Sequence, residues 1–480
     1  VNRRYDLVVI GGGTAGLVSA LIAAGLGARV ALVERERTGG DCLWTGCVPS
    51  KRLLATAALA HAMRHADAVG LAPVEPRIDF ATVMESVQAA IATIAPQDAP
   101  ARLTAAGVEV IEAHGRFAGP GRLTAGARRL SFRTAIIATG SRPALPRVAG
   151  LTEAAPLTSD TVWDLRIQPR RLTVLGGGPI GCELAQAFAR LGTAVTLVES
   201  GERLLPGDEP AAGALLADRL ADEGVDLRLG CTATAVRSAP EGGGELVLDT
   251  PRGTAQVGFD RLLVAAGRTP RTDRLGLETV GVELDPRGAV RVDARLATSA
   301  RRIFAAGDVT GQLGFTHVAA HHARVATPNA LFHTRTRVSG IVPRVTFTDP
   351  EVARVGVSEL EATQRWGARA QVTGFDYAEL DRAITDARPY GFAKLIGDPR
   401  GRLVGATVAA PGAGEVIAEL TAWISQGARI DAVSQTIHAY PTLAEGPARA
   451  ADERLRVRYS TPRVRAFARV GLGLLRLAER

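Results

Sequence analysis

Lysine is nearly missing from this chain. It occurs only at Lys51 and Lys394, and arginine supplies the rest of the 57 basic residues. An ammonium is a compact charge that fits where a planar guanidinium does not, so each lysine marks a selected place. Cysteine is also scarce. Four in 480 positions are too few for a disulfide-stabilised secreted scaffold, and a reducing compartment is expected. No uninterrupted apolar run reaches membrane-spanning length. The start, NRRYDLVVIGGG, lacks the pattern of a signal peptide, so a cytoplasmic protein is expected. Aromatics make up 4% of the residues and no basic cluster is interleaved with them. A net charge of +8 and a pI near 9.9 therefore read as an arginine-rich surface, and no nucleic-acid partner is expected. With 46% apolar and 22% charged residues the chain is globular, and its length implies two to four domains.

What is present begins with YDLVVIGGGTAGLVSALIAAGLGARVALVER. An apolar strand runs into a glycine turn, an alanine-rich helix and a second strand ending at Glu34. Gly11, Gly13 and Gly16 fit G-x-G-x-x-G, the spacing for a tight turn, close approach to a pyrophosphate, and helix packing on the sheet. Glu34 can accept a bond from a ribose hydroxyl, and the helix N-terminus faces the phosphates. The unit repeats in RLTVLGGGPIGCELAQAFARLGTAVTLVES, with Gly176, Gly178, Gly181 and Glu199. Two dinucleotide sites suggest electron transfer from one cofactor to another. Glu199 should repel a 2′-phosphate, which favours NAD(H) over NADP(H), with Arg203 nearby as a counterweight. TAIIATGSRP and RLLVAAGRTP each close an apolar strand with a small-residue turn and an arginine. RRIFAAGDV ends at Asp308, placed to hold a cofactor hydroxyl. The helical FTHVAAHHARVA follows, its N-terminus suited to oppose negative charge. From about Ile341 the pattern becomes alternating strands and helices without a glycine fingerprint.

Cys42 and Cys47 stand five apart in GGDCLWTGCVPSK. In an ideal helix such positions lie roughly 8–9 Å apart, and a disulfide needs about 7 Å or less. The backbone between them must bend, which Gly46 permits. Two thiols are fewer than zinc requires, so no metal site is expected. A short static loop stabilises little. A redox dithiol beside a flavin is favoured over both. Cys182 and Cys231 read as packing cysteines.

Seven ordered motifs, GGGTAG, GGDCLWTGCVPSK, ATGSRP, GGGPIGCELA, AAGRTP, FAAGDV and HAYPTLAEG, together resemble the FAD-dependent pyridine nucleotide-disulfide oxidoreductases. This is the group of dihydrolipoamide dehydrogenase, glutathione reductase and mercuric reductase. The resemblance covers residue 5 to about 455. It implies an α/β fold with two Rossmann-like domains and a C-terminal α+β dimerisation domain. FAD is assigned to 1–150 with 268–340, the nicotinamide cofactor to 151–267, and homodimer formation to 341–455. Gly40, Gly115, Thr139, Gly140, Ser141, Arg142, Gly267 and Arg268 are then expected to line the cofactor sites with the residues already named. Cys47 becomes the flavin-side thiol, forming a charge-transfer contact as thiolate, and Cys42 the interchange thiol. Lys51, paired with Glu183, lies near flavin N5 in this reading.

One motif departs from the thiol-disulfide members, which carry His-x-His-Pro-Thr-x-x-Glu. Here the order is His438, Ala439, Tyr440, Pro441, Thr442, with Glu445 at the end. Tyr440 takes the acid-base position that the motif brings from the partner subunit, and a phenol with an ordinary pKa near 10 suits proton shuttling poorly. His438 matches the first, structural histidine. A tyrosine here is similar to mercuric reductase, since a soft metal ion can be reduced on two thiolates without protonating a leaving thiolate. Yet the sequence ends in LAER with no cysteine pair and has no metal-binding domain before Val1, so mercuric reduction itself is not the firm expectation. The expected function is electron flow from NAD(P)H through FAD and the dithiol to a small acceptor: a soft metal ion, an oxidant-derived species or a quinone. The alternatives are a thiol-disulfide enzyme such as dihydrolipoamide dehydrogenase, and a non-enzymatic redox-sensing flavoprotein. The tail at 456–480 is basic and amphipathic. It is expected to be a helix docked on the protein's own surface, with contact to a membrane surface as the alternative.

Overall fold

A strand that is apolar along its whole length needs cover on both faces, and parallel sheets between helices supply it. The computed structural model describes residues 4–239 and 242–479. The chain divides into two compact units. The first comprises residues up to Met63 with Glu75–Glu202 and Gly224–Ser339, and the second Arg64–Val74, Arg203–Glu223 and the residues from Gly340 on.

In the first unit, strand β1 (Tyr5–Ile10) leads into helix α1 (Thr14–Gly25) and strand β2 (Val30–Glu34). β1 pairs in parallel with β2 on one side and with Arg128–Ile137 on the other; Val108–Glu112 and Ile303–Ala305 extend the parallel run. Leu7, Leu32 and Ile136 are fully buried in this layer, and truncating any one to alanine costs about 2–5 kcal/mol. α1 turns small residues inward, Ala15, Gly16, Ala20 and Ala23 among them, which lets it lie against the helix Thr316–Phe332. A second, five-stranded parallel sheet repeats the plan, in the order Asp226–Leu229, Ala194–Glu199, Arg171–Leu175, Arg261–Val264, Leu157–Thr158. A small antiparallel ladder between Ser141–Pro143 and Arg268–Pro270 joins the two returning segments.

The second unit is a five-stranded antiparallel sheet, Arg344–Thr346, Glu351–Gly356, Leu403–Ala410, Phe392–Gly397, Gln371–Asp376, with the helices Ala413–Ser425 and Glu445–Tyr459 against it. Arg203–Glu223 belongs to this unit because its polar groups are satisfied there. Glu209 accepts from the Glu359 amide at 2.7 Å and from Lys394 at 3.3 Å, and Gly207 O accepts from Arg354 at 2.6 Å. Tyr377 is wholly buried and its hydroxyl donates to Leu443 O at 2.8 Å. A Cβ at Gly446 would stand 2.4 Å from the Tyr377 ring. This contact anchors the segment that carries His438, Tyr440 and Glu445.

The expected docking of the tail is not found. The helix Pro462–Ala478 has no buried residue, and Phe467 is 81% exposed. Its periodicity specified an apolar face, but no part of the described chain covers that face. No helix of the described residues is long and apolar enough to cross a membrane.

Candidate active site and cofactor sites

The helical course between the cysteines is broken. Helix α2 (Gly40–Trp44) stops at Thr45, and helix α3 (Cys47–Arg64) begins at the second cysteine. Gly46 sits where a Cβ would meet Asp41 O at 2.9 Å, so the close return of the chain requires glycine. Two tryptophans hold the break. Trp44 Nε1 donates to Thr38 O at 2.7 Å, and Trp163 Nε1 donates to Thr45 O at 2.9 Å and Ser159 O at 2.7 Å. Arg37 lies 3.9 Å over the Trp44 ring.

The two thiols, unbonded to each other in this structure, are electrostatically unequal. Cys47 opens α3, and its Sγ lies 3.3 Å from Oγ1 of Thr316, the first residue of the helix Thr316–Phe332. Two helix N-termini thus favour negative charge at one sulfur. The Cys47 pKa falls to about 6, first through the hydrogen bond from Cys42, then through Thr316 and the nearby Lys51 charge, against opposing desolvation. The Cys42 thiol is pushed up, chiefly because it is the partner that keeps its proton in that bond, and further by burial. Lys51, one turn along α3, pairs with the buried Glu183 at 2.8 Å. Thiolate absorbance of the reduced holoenzyme should therefore titrate at Cys47 with a midpoint near pH 6. Cys42→Ala should move that midpoint upward by more than Thr316→Val does. A midpoint unmoved by Cys42→Ala would rule out the bond between the thiols as its cause.

The glycine loops fit the phosphates of dinucleotides. At Gly11 (φ +107°) a Cβ would stand 2.2 Å from Ala138 O, and at Gly176 (φ +118°) 2.6 Å from Ala265 O; only glycine takes these turns without strain. At Gly16 and Gly181 the Cβ would be 1.8 Å from the carbonyl of the first glycine. The middle glycines are the open ones: Gly13 meets only Gly40 Cα at 3.7 Å, and Gly178 nothing within 4 Å. The room lies where a pyrophosphate approaches a helix N-terminus. Glu34 Oε2 accepts from the Gly12 amide and Glu199 Oε2 from the Gly177 amide, each at 2.6 Å. Both carboxylates are thereby aimed from the end of the second strand, with lone pairs left for a ribose.

Around Asp308 a polar network forms. Ser141 Oγ donates to Asp308 at 2.7 Å and receives from Arg268 Nε at 2.7 Å. Arg268 also pairs with Asp41, and Arg271 bridges Asp41 and Asp160. Thr139 donates to Arg271 O at 2.7 Å, and Gly140 and Gly267 take positive φ beside them. Gly115 sits under Ile10 and Val33, where a Cβ would have 3.2 Å. Arg142 is not drawn into this network; it is half-exposed and pairs with Asp273.

In the second unit, Tyr440 donates to Asp381 at 2.8 Å, and that bond together with the Asp381 charge raises its pKa. His438 Nδ1 lies 2.9 Å from Thr436 O and Nε2 3.0 Å from Glu419. Glu445 accepts from the Thr442 amide at 3.3 Å and pairs with Arg449. Asp41, Thr316, Asp381 and Glu419 were not singled out in the sequence. Only Thr316 carried a signal, at the start of the helix noted after Asp308. Cys182 and Cys231 are buried, and Cys182 Sγ donates to Gly177 O at 3.3 Å. Among the described residues no group of three or more His, Cys, Asp or Glu could hold a metal ion.

Two dinucleotide folds, an asymmetric thiol pair between helix starts and an antiparallel C-terminal module define a class of flavin-linked redox enzymes. Residues 5–323 match the family described as pyridine nucleotide-disulphide oxidoreductase, and residues 342–451 match its dimerisation domain. The chain belongs to the pyridine nucleotide-disulphide oxidoreductase family, and is accordingly an FAD-dependent flavoprotein enzyme that uses a pyridine nucleotide and forms a homodimer. It is 36% identical over 472 residues to a dihydrolipoyl dehydrogenase of Thermus scotoductus, covering 94% of this chain and 97% of that one. It is 37% identical over 455 residues to a mercuric reductase of Streptomyces lividans, covering 92% and 95%. Among solved structures, the Cu(II) complex of the HOCl-induced flavoprotein disulfide reductase RclA from Escherichia coli superposes with a TM-score of 0.83 at 27% identity, over 94% of this chain and 99% of that one.

Proposed function

We propose that electrons pass from NADH through FAD to the Cys42–Cys47 pair and leave to a soft acceptor, a metal ion before all others. The reading rests on one observation, the unequal thiols. Cys47 is held as a thiolate by Cys42, Thr316 and Lys51, and the acid-base place of the C-terminal motif holds a tyrosine. We assign FAD to 1–150 with 268–340, held by the Gly11 loop, Glu34, Gly115, Thr139, Ser141, Asp308 and Arg268. The nicotinamide cofactor goes to 151–267, on the Gly176 loop, Glu199 and Gly267. FAD, when bound, supplies the conversion of a hydride equivalent into an electron pair delivered to sulfur.

The residues do the rest. Reduction of the Cys42–Cys47 disulfide breaks the S–S bond and leaves one thiolate, at Cys47, and one thiol, at Cys42. Once Cys42 gives up its proton, two thiolates can bind a soft cation; the S–S bond re-forms as two electrons pass to one Hg(II), or one to each of two Cu(II), and the only proton released is that of Cys42. No leaving thiolate has to be protonated, so Tyr440 suffices. Lys51, fixed by Glu183, places a positive charge one turn from Cys47. Glu199 offers a carboxylate where a 2′-phosphate would bring like charge.

The test is NADH oxidation by the holoenzyme with Hg(II), Cu(II), lipoamide, glutathione disulfide and a soluble quinone. A soft metal ion should raise the rate at least about tenfold over the oxygen background, and lipoamide should not. NADH should exceed NADPH in kcat/KM by about tenfold or more, with Glu199→Ala narrowing the ratio. Equal use of both nucleotides would remove the role given to Glu199.

A further inference from the structure

The helix Pro462–Ala478 carries none of the thiol or cofactor-site residues, and the match to the family's dimerisation domain ends before it, at residue 451. It carries Arg463, Arg465, Arg469 and Arg476 and no acidic residue. At 100° per residue, Arg465, Arg469 and Arg476 fall on one stripe. Val464, Phe467, Val470, Leu474, Leu475 and Leu477 fill the opposite arc, which Arg463 interrupts in the first turn, while Leu472 lies on the arginine side. Every one of these apolar side chains is exposed, Phe467, Leu477 and Val470 by 81%, 68% and 65%. Among the described residues none of the four arginines makes an ion pair.

A helix this short, with Gly471 and Gly473 in its interior, is marginal in water by itself, each glycine costing about 1 kcal/mol relative to alanine. Its stability has to come from a surface. The apolar arc is wider than the two-position seam of a paired coiled coil. A partner of opposite charge would complement the arginine stripe, and a second copy of the same acid-free helix does not offer one. Guanidinium on one side and Phe, Leu and Val on the other is the composition of a helix lying flat in a headgroup layer. We propose that residues 462–478 bind the enzyme to the surface of an anionic lipid bilayer. Phe467, Leu474 and their neighbours enter the acyl boundary, and Arg465, Arg469 and Arg476 meet lipid phosphates.

The experiment is co-sedimentation of the holoenzyme with vesicles of phosphatidylglycerol and phosphatidylcholine in equal parts, against phosphatidylcholine alone. The anionic vesicles should bind it at least about tenfold more strongly, and added salt should weaken the binding. At about fivefold per arginine, the triple variant Arg465→Gln, Arg469→Gln, Arg476→Gln should lose ~100-fold in partitioning. Phe467→Ser with Leu474→Ser should lose at least as much, while NADH oxidation in solution stays at the wild-type rate. Equal partitioning of wild type and both variants would overturn the proposal. So would a wild type that ignores vesicles but changes oligomeric mass on Phe467→Ser with Leu474→Ser, since a second copy would then cover the helix.

Discussion

Cys42→Ser holoenzyme should take up two electrons per monomer in an anaerobic NADH titration where the wild type takes four. A flavin stores one pair and a disulfide the other, and a serine hydroxyl cannot form the second bond. Turnover with every acceptor that passes through the dithiol should fall by about 10³-fold or more. The substitution is nearly isosteric, and a hydroxyl can still donate toward Cys47, so the fold and the thiolate should survive. Retained cofactor and a near-normal Cys47 titration would demonstrate that the loss is chemical. Four-electron uptake by the variant would mean that another pair stores the second electron pair. Cys182 and Cys231 make poor substitutes. Both are buried, and burial holds the Cys182 thiol well above its ordinary range, so neither presents a nucleophilic sulfur.

Much of this site was legible because its determinants are local. Gly11, Gly13 and Gly16 report three different clearances within six residues, and the strand that follows supplies Glu34 at a fixed distance along the chain. The need for a bend between Cys42 and Cys47 follows from helix geometry alone. What stayed hidden is contact made across long sequence separations by residues with no periodic signature. Thr316 reaches Cys47 across 269 positions, and Asp41 meets Arg268 across 227. Thr316 showed in the sequence only as the start of a helix, with nothing to tie it to Cys47, and an aspartate after Gly40 does not differ in sequence from any surface residue. The pairing of Lys51 with Glu183, 132 positions away, came only with the family resemblance. The tail shows the complementary limit: a hydrophobic period identifies an apolar face, but what covers it depends on geometry that the period does not contain.

Tyr440→His should raise dihydrolipoamide turnover at neutral pH by about 10²-fold, the lower range for a positioned acid-base group. The wild-type phenol donates to Asp381 and its pKa is raised by that bond. It therefore keeps its proton across the neutral range and cannot accept one from a dithiol substrate. Wild-type turnover with dihydrolipoamide should accordingly be slow and climb with pH toward the alkaline side. An imidazole in its place, with an ordinary pKa near 6.5, should be available as a base above that value, so the variant's profile should level off around neutrality. The gain should be confined to thiol substrates, because an electron pair passed to a soft metal ion leaves no sulfur leaving group to protonate. Steady-state rates for dihydrolipoamide and Hg(II) across pH 5–9, wild type against variant, separate the two readings. If the wild type already turns over dihydrolipoamide rapidly at pH 7, His438, held by Glu419 at 3.0 Å, becomes the base and the thiol-disulfide reading replaces the soft-acceptor one. A variant that gains nothing with dihydrolipoamide would instead show that position 440 does not govern proton transfer to the interchange thiol, and the tyrosine would lose its place as the reason for a soft acceptor.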